Sequence, residues 1–128
     1  MVNCNVYSTG FDHEHNRHDR NDYITLIPTE DTPDACNDLN YADHEPEGVH
    51  TYDVGYDYCS VMHYGSLNAI GCRLTPTHSV VCNVKGRHIT EIGQRLGLSD
   101  LDIEEINKRY SCDGKQKLNK LIPTVQGY

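Results

Sequence analysis

Residues 10–24 read GFDHEHNRHDRNDYI, with three histidines, a His-Glu pair and a glycine at the head. The spacing almost reproduces H-E-x-x-H, in which two imidazoles four residues apart on a helix share one face and can bind one zinc ion. His13 and His18 are five apart, about 140° around a helix, and Arg17 stands where the second histidine would have to be. A helical zinc site is therefore excluded for this stretch read by itself. Two readings stay open at this point: a histidine-rich solvated loop, or one part of a site completed elsewhere in the chain.

The rest of the chain narrows the class. Its 128 residues suit one domain with a modest core. Nine tyrosines against one Phe and no Trp mean that Tyr must supply most of the aromatic surface, with its hydroxyls finding partners or solvent. A net charge of -8, with Lys and Arg clustered only towards the C-terminus, argues against a nucleic-acid footprint. No apolar run approaches membrane-span length. Six cysteines without a C-x-x-C pair predict disulfides and an oxidising compartment, with fifteen full pairings open. The start MVNCNVYSTG has neither the basic nor the apolar region of a secretory signal.

Local pattern predicts an α+β, loop-rich fold with one long C-terminal helix and little sheet. Residues 28–55 are acidic and rich in Pro, Asp and Asn without a lasting period, which predicts a long loop, or one short helix in irregular chain. A loop of that length has to be functional or tied down. THSVVCNVKG at 77–86 reads as a short strand ending in a Gly turn. In LGLSDLDIEEINKRYSC, Ser99 is an N-cap, acids at 100, 102, 104 and 105 sit at the positive dipole end, and Lys108 and Arg109 sit at the negative end. Leu98 is placed to staple against Ile103, and Ile103, Ile106 and Tyr110 share one face. Residues 113–128 read as a linker or disordered tail.

Three blocks then resolve the histidine question. Gly10, Phe11, His13, Glu14, Arg17, Asp19 and Arg20 match, in order and without gaps, the end of the signature H-E-x-x-H-x-x-G-F-x-H-E-x-x-R-x-D-R-D, with Asn21 at the last Asp. YDYCSVMHYGSLNAIG at 56–71 matches Y-D-Y-x-S-[VI]-M-H-Y-x-x-x-A-F-S, with Ile70-Gly71 for Phe-Ser. IGQRLGLSDLDIEEINKRYSC at 92–112 is similar to a closing helix and final cysteine. Together they resemble the astacin family of zinc metalloendopeptidases, which are metzincins.

The resemblance implies that residues 1–112 are a partial astacin-like peptidase domain, its C-terminal (lower) subdomain, with the N-terminal subdomain absent. It makes His13 the third zinc histidine, Gly10 the turn that lets it reach the metal, and Met62 the Met-turn. Tyr64 becomes a switchable zinc ligand and the transition-state hydrogen-bond donor. It also implies secretion, a zinc cofactor, and peptide or protein substrates: zinc polarises the scissile carbonyl and activates water, and a glutamate shuttles the proton. The first histidine, the glutamate and the second histidine belong at positions 3, 4 and 7, which here are Asn3, Cys4 and Tyr7.

With two zinc histidines and the general base missing, the expectation is doubtful zinc occupancy and an inactive chain. Cys4, His13 and either His15 or His18 form a possible substitute donor set; otherwise His15 and His18 are read as loop residues. The alternative function is a non-catalytic pseudo-protease that binds peptides or proteins. Loss of an upper subdomain further implies association through exposed cleft surface. Cys36, Cys59, Cys72 and Cys82 are additions to the family pattern, and Cys112 lacks its family partner. The pairs expected are Cys72 with Cys82, Cys36 with Cys59, and Cys4 with Cys112.

Overall fold

The computed structural model describes residues 10–38, 41–42, 51–66 and 71–110. The tail 113–128 and the pairing of Cys4 with Cys112 lie outside the described residues.

Among the described residues, two antiparallel ribbons and one α-helix frame the fold. Strands β1 (Ile24–Pro28) and β2 (Cys72–Pro76) pair with Ile24 opposite Pro76 and Pro28 opposite Cys72. Strands β3 (Cys82–Val84) and β4 (Arg87–Ile89) form a hairpin closed by Lys85 and Gly86, both at positive φ. Two consecutive left-handed residues are what a tight hairpin turn requires, and glycine occupies the second without strain. The strand and Gly turn expected within 77–86 are thus present.

Helix α1 (Asp100–Arg109) starts as its sequence predicts. The Ser99 side chain accepts from Asp102 N, and the Asp102 carboxylate accepts from Ser99 N at 2.9 Å, a reciprocal capping box. Lys108 pairs with Glu104 one turn earlier at 2.9 Å. The predicted apolar face is narrower than expected: Ile106 is buried, while Tyr110 is 51% exposed. Leu98 packs against the small buried cluster of Val61 and Met62, alongside Phe11.

The larger core gathers Ile24, Leu74, Val80, Val84 and Ile92 from the ribbons and their connections, with Tyr41 and Tyr56 among them. Tyrosine supplies the aromatic surface, as the composition requires. Tyr23 stacks on Tyr56 with ring centroids 4.6 Å apart, and the Tyr58 hydroxyl donates to Tyr23 O.

The acidic connection after β1 is tied down at several points. A 3₁₀ turn at Ala35–Asn37 carries Cys36, which is bonded to Cys72. Arg20 donates to Tyr41 O and Asn16 to Ala42 O. Arg17 donates to the carbonyls of Val54 and Gly55. Among the described residues of this connection, a short helical turn and side-chain anchors hold the chain.

The disulfides correct the expected pairing. Cys36 bonds Cys72 with Cα atoms 5.0 Å apart, and Cys59 bonds Cys82 at 6.6 Å; Cys72 does not pair with Cys82, nor Cys36 with Cys59. The reason is β2, which runs extended from Cys72 to Pro76 and carries the chain away from Cys72 before Cys82 is reached. The ribbon register holds the exit of β1 beside the entry of β2, with Thr29 N bonded to Gly71 O at 2.9 Å. Cys36 follows closely on that exit and meets Cys72 there.

Candidate active site

The site is assembled from two short turns that touch. Gly10 adopts φ +77, and a Cβ there would lie 2.7 Å from the Arg109 guanidinium. That guanidinium also lies 5.1 Å from the Phe11 ring centroid. Helix α1 therefore backs the turn that delivers His13, which precedes a 3₁₀ turn at Glu14–Asn16. Below it, Ser60 to His63 form a tight turn: His63 N bonds Ser60 O at 3.1 Å, and Met62 N bonds Ser60 Oγ at 3.0 Å. Glu14 N reaches Met62 O, joining the two turns.

This arrangement brings His13 and Tyr64 together, their rings edge to face with centroids 4.4 Å apart. His15 lies 3.9 Å from the Tyr64 ring and 5.1 Å from the His13 ring. Its 0% exposure overturns the reading of His15 as a loop residue in solvent, whereas His18 is exposed. His15 is buried because Tyr41, from the tied-down acidic connection, covers it at 5.6 Å and meets Tyr64 edge-on at 5.9 Å. Beyond Tyr64 the chain passes close to another strand of backbone. Gly93, at φ +88, faces Gly65 so closely that a Cβ would fall 2.3 Å from Gly65 Cα.

His63, between Met62 and Tyr64, is fully buried. Burial pushes its imidazole down to about 4, so it is neutral at physiological pH.

A network of buried carboxylates supports both turns. Glu14 accepts from Asp57 N at 2.7 Å and from Arg17 Nη1 at 3.1 Å. Arg17 also grips Asp19 through two bonds. Asp102 accepts from the Ser60 hydroxyl at 2.6 Å and from Val61 N at 3.0 Å, and Ser99 Oγ donates to Asp57. A small cavity lies between the network and α1, lined by Phe11, Glu14, Ser60, Met62, Asp102 and Glu105.

Burial dominates the electrostatics of these acids. It lifts Glu14 to about 8 against the Arg17 guanidinium, Glu105 to about 7 against the same guanidinium, and Asp57 to about 6 against the Ser99 hydroxyl. Each group binds its proton more tightly folded than unfolded, where carboxyls titrate near about 4. Their contribution to stability is complete below about 4 and is lost as pH rises through about 6 to 8. Thermal melts are expected to show a higher midpoint at pH 5 than at pH 8.5; a midpoint that rose across this range would contradict the assignment.

The sequence reading passed over Glu14, Asp57, Ser60, His63 and Asp102 as site-building residues. The Ser99-x-x-Asp102 spacing is a readable capping signal, but nothing local reveals that Asp102 also reaches Ser60 and Val61, 42 and 41 residues away.

The donor chemistry fits only part of a zinc centre. His13 and Tyr64 supply an imidazole and a phenol side by side, yet among the described residues no three His, Cys, Asp or Glu side chains are grouped to hold a metal ion. A catalytic zinc takes about three protein ligands and keeps one open position. The described residues do not meet that requirement.

Comparison with known proteins gives the geometry its context. Residues 5–111 match the family model described as Astacin, a peptidase family. The chain is 36% identical over 106 residues to the astacin-like metalloendopeptidase of Coturnix japonica, covering 83% of this chain and 24% of that protein. It is 33% identical over 114 residues to the zinc metalloproteinase nas-4 of Caenorhabditis elegans, covering 85% of this chain and 32% of that one. Among solved structures it resembles high choriolytic enzyme 1, a hatching enzyme zinc-protease from Oryzias latipes. That likeness has a TM-score of 0.54 and 30% identity, and covers 80% of this chain and 46% of the enzyme. The fold is of the zinc-peptidase kind. The chain belongs to the astacin family and spans about a quarter of the length of the relatives it matches.

Proposed function

We propose that this chain carries the lower wall of an astacin-type metalloendopeptidase cleft and that, as its sequence stands, it does not hydrolyse peptide bonds. The observation that carries the reading is the pairing of His13 with Tyr64 above the Ser60–His63 turn, combined with Asn3, Cys4 and Tyr7 at the positions of the missing ligands and base. In this reading Gly10 sets the turn, His13 is the third zinc histidine, and Met62 forms the apolar floor. Tyr64, whose ring meets that of His13, is the phenol that would donate a hydrogen bond to a peptide carbonyl bound in the cleft. A zinc ion in a complete site supplies Lewis-acid polarisation and an activated water. With the donors described, the residues here can orient a carbonyl and offer a hydrogen bond, while the position of the base holds Cys4 in place of a carboxylate.

The substrate class of the parent site is peptide or protein, and the two disulfides fit a secreted, oxidising setting. Among the described residues no helix is long and apolar enough to cross a membrane. The test is a fluorogenic peptide assay of the purified chain with added zinc, with and without a chelator. The expected result is no chelator-sensitive turnover, and turnover abolished by the chelator would overturn the proposal.

A further inference from the structure

We propose that His63 is a positioning residue for Tyr64, an imidazole clamp whose tautomer is set by the Tyr64 carbonyl and completed by the Tyr56 hydroxyl, and which holds the Tyr64 backbone so that its phenol meets His13. The inference rests on the reading of Tyr64 as the phenol of the site. Its geometry stands on two hydrogen bonds at opposite ends of one buried ring. His63 Nδ1 lies 2.7 Å from Tyr64 O, and His63 Nε2 lies 2.8 Å from the Tyr56 hydroxyl.

A carbonyl oxygen can only accept, so Nδ1 carries the proton and donates it to Tyr64 O. In the neutral ring Nε2 then has a lone pair, and the Tyr56 O–H donates to it. Both polar atoms of the imidazole are satisfied in this one arrangement, and the opposite tautomer would set the Nδ1 lone pair against the carbonyl. The clamp is anchored at both ends. Tyr56 is stacked on Tyr23 at an interplanar angle of 7°, and the His63 carbonyl accepts from Arg95 Nη1 at 2.9 Å. Past Tyr64, Gly65 is wedged against Gly93. The backbone on either side of Tyr64 is thereby held, and with it the direction of the Cα–Cβ bond from which the phenol reaches His13.

The test is ¹H–¹⁵N NMR of the histidine-labelled full chain. Wild type is expected to show His63 as the Nδ1–H tautomer, and the His13 ring protons are expected to carry a ring-current shift from Tyr64. Tyr56→Phe keeps the stack on Tyr23 and should leave the Nδ1–H tautomer in place, because the Tyr64 carbonyl remains, while freeing the Nε2 end of the clamp and reducing the His13 shift. His63→Leu should lose that shift, and His63→Asn, which retains an N–H donor near the Nδ1 position, should recover it. An Nε2–H tautomer in wild type, or an undiminished His13 shift in His63→Leu, would overturn the clamp and leave the cleft reading standing. A wild type without the His13 shift would overturn both. Should His63→Leu fail to fold, the wild-type tautomer and Tyr56→Phe still decide the matter.

Discussion

Reduction of Cys36–Cys72 and Cys59–Cys82, the two disulfides among the described residues, is expected to abolish cooperative unfolding of this chain at room temperature. The bonds close loops with sequence separations of 36 and 23, for which the chain-entropy relation gives about 3–4 kcal/mol each. Small domains have a total stability of about 5–15 kcal/mol, so losing both bonds removes a large part of it. The remaining framework has little to compensate. Each ribbon has two strands, which is marginal by itself, and the acidic connection is held by side-chain anchors and Cys36–Cys72. Cys59 matters for a second reason: it immediately precedes the Ser60–His63 turn and is bonded to the β3–β4 hairpin. Thermal melts followed by circular dichroism, with and without reductant, make the comparison. A sharp transition at the same midpoint after verified reduction would contradict this expectation.

The second large effect is expected at Asp102. Its carboxylate accepts from the Ser60 hydroxyl, Val61 N and Ser99 N, all in buried surroundings. Alanine there leaves three donors without that acceptor and removes half of the capping box. At roughly 1–3 kcal/mol for each buried group left unsatisfied, Asp102→Ala is expected to cost about 3–5 kcal/mol. Asp102→Asn retains one acceptor oxygen and should fall between alanine and wild type. Ser60→Ala removes one donor to Asp102 and the acceptor of Met62 N, and should cost less than Asp102→Ala because one donor rather than three is left without its acceptor. Urea denaturation of the three variants gives this order directly. An Asp102→Ala variant within about 1 kcal/mol of wild type, the scale of an ordinary substitution, would mean that the link between α1 and the turn contributes little.

How legible these features were in the sequence follows from how local each one is. Helix α1 could be read because its cap, dipole charges and apolar spacing all lie within a few residues of one another. Even there Tyr110 was expected on the buried face and is half exposed, since the helix ends beside solvent and its partner Arg109 is drawn towards Phe11. The β3–β4 hairpin was visible through its glycine turn. The β1–β2 ribbon left little local mark: ITLIP and CRLTP pair across a long connection, ITLIP does not alternate cleanly, and CRLTP, which does, is only five residues long. Without that ribbon Cys72 was matched with Cys82 and Cys36 with Cys59, and these two of the expected pairs proved wrong.

The site divides in the same way. His13, Met62, Gly10 and Tyr64 were identified from motif blocks, and the fold brings the turns that carry them together. His15 was read as solvated because burial of a histidine in a polar run depends on what covers it, and Tyr41 comes from a distant segment with no periodicity to reveal its course. The Asp57–Ser99 and Asp102–Ser60 links each join residues 42 positions apart. Separations of that size are decided by tertiary packing and leave no trace in local composition.

We propose that this chain, with Asn3, Cys4 and Tyr7 in place of two imidazoles and a carboxylate, lacks a complete catalytic zinc centre. Zinc content measured by elemental mass spectrometry on the oxidised chain, after loading with excess zinc and extensive desalting, tests it most directly. Far less than one zinc per chain is expected, with the same value for His13→Ala. One tightly held zinc per chain, lost in His13→Ala, would contradict it.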